Sequence, residues 1–133
     1  MEADSTLETQ KSPARTKNRG ATRLVRALSA SMSGLAGAFR DEAAFRQELA
    51  CAAAIVPLGL WLGHTGTERA LLVAPMLLIL IVELINSAIE ATVDRIGFER
   101  NALAGLAKDI GSAAVLMSFV LLVTVWLLVL LGR

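Results

Sequence analysis

The sequence predicts an all-α integral membrane protein with one N-terminal amphipathic surface helix and three transmembrane helices. Of its 133 residues, 55% are hydrophobic, and the mean hydropathy is +0.60. Both values are typical of a small membrane protein and exclude a soluble domain built around a large core. Three apolar stretches follow one another along the chain, and an amphipathic stretch precedes the first of them.

The N-terminal part of the chain divides into a polar tail and an amphipathic helix. Residues 1–20 are polar and without an apolar run, which predicts a disordered cytoplasmic tail. From about residue 22 to residue 48, apolar side chains recur at spacings of three and four, and a helix over this stretch would have one apolar face. The positions on that face are Val25, Leu28, Met32, Leu35 and Phe39. This pattern predicts a helix that lies on the cytoplasmic leaflet.

The three apolar stretches are the predicted membrane spans. They cover about residues 49–63, 70–91 and 113–131, and the third is the most uniformly apolar. About 20 apolar residues cross the hydrocarbon core as a helix, so the first stretch is short for that task. Residues 21–133 are therefore expected to form a single membrane domain.

The distribution of positive charge predicts the orientation of the spans. Of thirteen lysine and arginine residues, eight precede residue 49 and three lie between residues 94 and 112. Cytoplasmic loops carry an excess of these residues. The N-terminus and the loop between the second and third spans are therefore expected in the cytoplasm.

A stripe of polar residues interrupts the second span. At about 100° per residue, Glu83, Glu90 and Asp94 fall within about 40° of one another, and Asn86 and Ser87 flank them. A charge near the bilayer centre costs at least about 2.5 kcal/mol. The stripe is therefore expected to face partners, water or a ligand. Hydrogen bonds that only hold helices together are the alternative at this point.

The depth and chemistry of these residues predict metal-assisted group transfer at the cytoplasmic interface. Glu83 lies about 20 Å along a hydrocarbon core of about 30 Å, in its cytoplasmic half. Carboxylates such as Glu42 and Glu90 suit Mg²⁺. The deeper Glu83 could take a proton from a lipid hydroxyl, and Lys108 could neutralise phosphoryl charge. The sequence contains no Walker P-loop.

The polar stripe also predicts self-association. Three spans form only a thin bundle, and one chain barely supplies surfaces that could shelter a charged stripe. A homo-oligomer is therefore expected.

Three segments resemble the prokaryotic diacylglycerol kinase family. They are EAAFRQE at residues 42–48, VELINSAIEATVDRIG at residues 82–97 and AKDIGSAAV at residues 107–115. They occur in the family's order and near its spacing, within a resemblance that runs from about residue 22 to the C-terminus. Ala30 and Asn101 differ from the aromatic residue and the histidine that are common there in well-known members.

The resemblance implies both an assembly and a reaction. Family members are homotrimers with three spans and a surface helix per chain, and their active sites are shared between neighbouring subunits. They transfer the γ-phosphate of ATP to diacylglycerol with Mg²⁺ and produce phosphatidic acid. The expected partners are therefore a lipid substrate and the bacterial inner membrane, with no nucleic acid.

The resemblance also implies a role for each matched residue. Glu83 would be the catalytic base, and Glu42 and Glu90 would bind the metal. The residues implied to bind ATP are Arg23, Ser31, Glu42, Asn86, Glu90, Glu99, Arg100, Asn101, Lys108 and Asp109. The residues implied on the lipid side are Arg46, Gln47, Glu48, Glu83 and Ser112.

Two alternative functions remain at the level of sequence. Related undecaprenol kinases share the core motifs, so a polyprenol is a second possible acceptor. A non-catalytic membrane scaffold or channel subunit would use the polar stripe for assembly alone. ATP consumption with and without a lipid alcohol would separate these readings.

Overall fold

A computed structural model describes residues 20–96 and 102–132, and these residues form four helices. The helices are α1 (Gly20–Asp41), α2 (Ala43–Leu62), α3 (Gly66–Ile96) and α4 (Ala102–Leu131). The last three are each long and apolar enough to cross a membrane, which confirms the predicted fold class. The predicted site residues Glu99, Arg100 and Asn101 lie outside the described residues, as does the tail up to residue 19.

The chain divides into two compact units, Met1–Met32 and Ser33–Arg133. In the first unit, the described residues 20–32 form the beginning of α1, and all of them are exposed. Large apolar side chains such as Leu24 and Leu28 are among the exposed residues. An amphipathic helix presents such a face to a membrane surface.

In the second unit, α3 packs against both α2 and α4. The buried residues Ala52, Met76, Ile79 and Leu122 form one apolar cluster with members from all three helices. Gly59 lies in α2, and a Cβ atom there would be 3.1 Å from the Cβ atom of Leu72. The small glycine therefore allows α2 and α3 to approach closely.

The short connection between α2 and α3 is closed by side chains that bind backbone groups. The amide N–H of Glu68 donates to Oγ1 of Thr65 at 3.1 Å, and Oε2 of Glu68 accepts from the amide of His64 at 2.9 Å. Nε of Arg69 donates to the carbonyl of Gly63 at 2.9 Å. These bonds satisfy backbone groups that helix ends leave without partners. The connection thereby holds α2 and α3 as antiparallel neighbours.

A tryptophan joins α4 to α3 near a proline in α3. Pro75 has no N–H and cannot donate to the carbonyl of Leu71 as a helical residue normally would. One residue further along, Nε1 of Trp126 donates to the carbonyl of Leu72 at 2.9 Å. The two helices are therefore bonded where the hydrogen bonding within α3 is interrupted.

The boundary between the surface helix and the first span differs from the prediction. The prediction extended the surface helix to Glu48, but α1 ends at Asp41 and α2 begins at Ala43. Glu42 alone separates them, with an extended backbone (φ −104°, ψ 112°). Residues 43–48 therefore belong to the first spanning helix, which explains why the predicted first span was too short. No glycine or proline marks this break, so the apolar periodicity could not reveal it.

Candidate active site

The predicted polar stripe on α3 is buried at Glu83 and Asn86, partly buried at Ser87 and Glu90, and exposed at Asp94. Glu83 is 3% exposed and Asn86 is 8% exposed, and Glu48 of α2 is 6% exposed. The expectation that one chain could barely shelter Glu83 is therefore wrong, because the side chain is buried within a single chain in which α3 packs against α2 and α4. A carboxylate buried to this degree among apolar helices is costly, and such residues are commonly functional.

Three carboxylates, those of Glu42, Glu48 and Glu90, lie within electrostatic range of the Glu83 carboxylate. The charge of Glu83 interacts with the charges of Glu90 and Glu42, and the charge of Glu48 interacts with that of Glu83. We refer to Glu42, Glu48, Glu83 and Glu90 as the carboxylate cluster. Like charges in a partly desolvated site repel strongly, so a bound cation would stabilise the cluster.

Asn86 lies beside this cluster, hydrogen-bonded to Glu90 and packed against Gly111 of α4. Its Nδ2 atom donates to Oε1 of Glu90 at 3.1 Å, one helical turn away. Its Oδ1 atom is buried and has no hydrogen-bond partner. Gly111 of α4 lies directly opposite, because a Cβ atom at that position would overlap Oδ1 of Asn86. A glycine in α4 therefore leaves the space that the Asn86 amide occupies.

A lysine reaches the edge of the cluster from the beginning of α4. Nζ of Lys108 pairs with Oδ1 of Asp94 at 2.5 Å, and its charge also interacts with Glu90. The side chains of this ion pair are 36% and 65% exposed, respectively. The ammonium group is therefore accessible to a soluble ligand. Asp94 was not among the residues predicted to bind a ligand, although its position on the polar stripe was a signal for it.

The other predicted site residues are placed less centrally. Nη1 of Arg46 donates to the carbonyls of Phe39 and Arg40. Gln47, Asp109 and Ser112 are exposed, and within the described ranges no hydrogen bond or ion pair joins them to the cluster. Arg23 and Ser31 belong to the described part of the first unit, where Oγ of Ser31 donates to the carbonyl of Ala27.

The oxygen donors of the cluster fit Mg²⁺ that arrives with a nucleotide. Among residues 20–96 and 102–132, no three histidine, cysteine, aspartate or glutamate side chains form a group that could hold a metal ion. Mg²⁺ is usually bound by one or two carboxylates together with phosphate oxygens. Glu42 and Glu90 could supply such carboxylates. The donor set therefore suits a metal–nucleotide complex better than a closed metal site.

Comparison with known proteins connects this site to a family. Residues 29–130 match the family described as prokaryotic diacylglycerol kinase. The chain belongs to the prokaryotic diacylglycerol kinase family. The matched range includes the whole carboxylate cluster, and the membership confirms the resemblance carried by the three sequence segments. This family member is a lipid kinase, so the scaffold and channel alternatives are not supported.

Three relatives show how far the similarity extends. The diacylglycerol kinase of Escherichia coli (strain K12) is 46% identical over 111 residues, which cover 84% of this chain and 91% of the relative. The diacylglycerol kinase of Pseudomonas aeruginosa is 46% identical over 113 residues, covering 85% and 92%. The diacylglycerol kinase of Haemophilus influenzae is 44% identical over 110 residues, covering 83% and 93%. The similarity therefore extends over most of each protein.

Proposed function

We propose that this kinase transfers the γ-phosphoryl group of ATP to the free hydroxyl of diacylglycerol and produces phosphatidic acid and ADP. The observation that carries the proposal is the burial of Glu83 in a spanning helix, next to carboxylates that lie nearer the helix end. This arrangement supplies a proton acceptor at lipid depth and metal-binding oxygens closer to water. The names of the relatives support diacylglycerol as the acceptor.

In the proposed reaction, the lipid hydroxyl oxygen forms a bond to the γ-phosphorus. The bond between that phosphorus and its bridging oxygen breaks, and ADP leaves with the electron pair. The hydroxyl proton passes to the carboxylate of Glu83, which acts as general base. Because Glu83 is 3% exposed, bulk water is kept away from this proton transfer.

The nucleotide would occupy the end of the carboxylate cluster that lies away from Glu83. Glu90 is two turns beyond Glu83, about 10 Å along the helix, and Glu42 and Glu90 would together hold Mg²⁺. Bound Mg²⁺ would neutralise charge on the transferring phosphoryl group. Lys108 could exchange its bond to Asp94 for a bond to a phosphate oxygen, because a charged donor binds either anion well. Lipid and nucleotide would thus approach the same site from two depths.

The same proposal includes a homotrimer in the bacterial inner membrane with a cytoplasmic N-terminus. The distribution of lysine and arginine along the chain supports this orientation. Large apolar side chains remain exposed on the outer faces of α3 and α4, where lipids or neighbouring subunits would cover them. Native mass measurement in mild detergent should give three chains per particle. A fully active monomer would refute the trimer.

A two-acceptor assay tests the reaction itself. The purified full chain is placed in mixed micelles with Mg²⁺ and ATP, and diacylglycerol and undecaprenol are supplied in separate reactions. We expect ADP and phosphatidic acid from the first reaction and little product from the second. Phosphorylation of undecaprenol alone would replace the proposed acceptor. Formation of ADP without phosphorylation of either lipid would contradict the proposed transfer of the phosphoryl group to a lipid.

A further inference from the structure

Arg46 is implied on the lipid side by its sequence motif, yet its guanidinium is bound to the protein backbone. Nη1 donates to the carbonyl of Phe39 at 3.0 Å and to the carbonyl of Arg40 at 2.9 Å. Both carbonyls belong to the last turn of α1, whereas Arg46 lies in the first turn of α2. The side chain therefore bridges the two helices across the break at Glu42.

The bridge satisfies backbone groups that the break would otherwise leave without partners. The amide of Glu42 donates to the carbonyl of Ala38 at 2.9 Å and makes the last helical bond of α1. The chain then becomes extended, so the carbonyls of Phe39 and Arg40 lose the donors that a continuing helix would supply. Arginine side chains near the C-terminus of a helix commonly bind such carbonyls.

On the other side of the break, α2 begins with an ordinary helical bond. The amide of Arg46 donates to the carbonyl of Glu42 at 3.3 Å, as the amide of any residue except proline would at this position. What arginine itself adds is the side-chain bridge to the end of α1. Because Glu42 alone forms this joint, a change in its backbone angles would displace its carboxylate from the range of Glu83.

We propose that Arg46 is a positioning residue that fixes the joint between α1 and α2 and so keeps the Glu42 carboxylate at the carboxylate cluster. The consequence for metal binding rests on the proposed function, in which Glu42 holds Mg²⁺. The role of Arg46 in fixing the joint rests only on its hydrogen bonds to the carbonyls of Phe39 and Arg40. The competing role for Arg46 is direct contact with the lipid substrate, and the two roles predict different measurements.

The test compares Arg46→Met with a matched control. Arg40→Met also removes one arginine side chain from the joint, but it leaves the carbonyl that accepts from Arg46 in place. In the full chain in detergent, hydrogen exchange of a peptide covering residues 38–46 should become faster in Arg46→Met and stay unchanged in Arg40→Met. Arg46→Lys should restore part of the protection, because an ammonium group can still donate to a carbonyl.

Kinetic measurements then test the consequence for Glu42. In Arg46→Met, the Mg²⁺ concentration for half-maximal activity should rise about tenfold, since two charge-assisted hydrogen bonds are lost. The KM for diacylglycerol should stay near the wild-type value. Adding Arg46→Met to Glu42→Gln should raise the Mg²⁺ requirement no further, because residues that act through one another are not additive.

The outcomes separate this inference from the proposed function. Unchanged exchange in Arg46→Met would overturn the role in the joint, whatever happens to activity. A raised KM for diacylglycerol with an unchanged Mg²⁺ requirement would assign Arg46 to the lipid instead. If Glu42→Gln alone leaves the Mg²⁺ titration unchanged, the metal role of Glu42 fails, and the exchange measurement still decides whether Arg46 fixes the joint.

Discussion

Replacing Glu83 with glutamine would remove one negative charge and one proton acceptor while nearly preserving shape. Glu83 is 3% exposed, and it feels the charges of Glu90, Glu42 and Glu48. The substitution therefore relieves repulsion within the cluster and opens no cavity. We expect membrane insertion, assembly and thermal stability to be retained, because a buried unit charge is more costly than a buried amide.

The expected loss of activity follows from the proposed role of Glu83 as general base. Such a base contributes about 10²–10⁴-fold to the rate, which corresponds to about 2.7–5.5 kcal/mol of activation free energy. Glu48 is the other buried carboxylate in range of Glu83. If Glu48 accepts the proton in part when Glu83 is absent, the loss of rate would lie near the lower end of this range. Binding of Mg²⁺ and ATP should persist, since Glu42 and Glu90 are unchanged.

The assay is the initial rate of phosphatidic acid formation in mixed micelles at saturating diacylglycerol, Mg²⁺ and ATP. Thermal unfolding and nucleotide binding are measured on the same preparations. Ser118→Ala is the matched control, because Ser118 is a buried polar residue whose Oγ donates within its own helix to the carbonyl of Val115. The control should turn over like the wild type. Near-wild-type turnover of Glu83→Gln would refute the base role and leave Glu83 as a hydrogen-bonding residue between helices.

Three further predictions concern the metal, a glycine and the N-terminal tail. Glu42→Gln and Glu90→Gln should each raise the Mg²⁺ concentration needed for half-maximal activity, and an unchanged Mg²⁺ titration in both would reject their metal role. Gly111→Ala should lower turnover by displacing Asn86. The control Gly105→Ala, whose Cβ would meet no atom within 4 Å, should keep full activity and gain up to about 1 kcal/mol of stability. Equal activity of the two variants would argue against a role for the contact between Gly111 and Asn86. A chain without residues 1–19, which precede the family match at residue 29, should phosphorylate lipid at the full rate. A loss of activity at equal expression would contradict the prediction that the tail is dispensable.

The sequence alone determined the class of protein and the polar face of α3 on which the proposed chemistry depends. Long apolar runs identify spanning helices because a helix in lipid must satisfy its own backbone groups. The three runs correspond to α2, α3 and α4, which confirms the prediction. Polar residues on one face of α3 are also visible locally, because the spacing of Glu83 and Glu90 follows from helical periodicity alone.

The single-residue joint at Glu42 could not be predicted from these patterns. Neither glycine nor proline stands between Phe39 and Glu48, so no residue with an unusual backbone preference marks the joint. Two hydrogen bonds from Arg46 to the end of α1 stabilise the break. Such bonds depend on the path of the whole backbone around the joint, which no local pattern encodes.

The shelter of Glu83 was likewise decided only by tertiary structure. The sequence suggested that several chains would be needed to cover it, yet it is 3% exposed within one chain, in which α3 packs against α2 and α4. The pairing of Lys108 with Asp94 and the seating of Asn86 against Gly111 join α3 to α4. Periodicity shows which face of a helix is polar, but the residues that meet that face depend on how the helices pack.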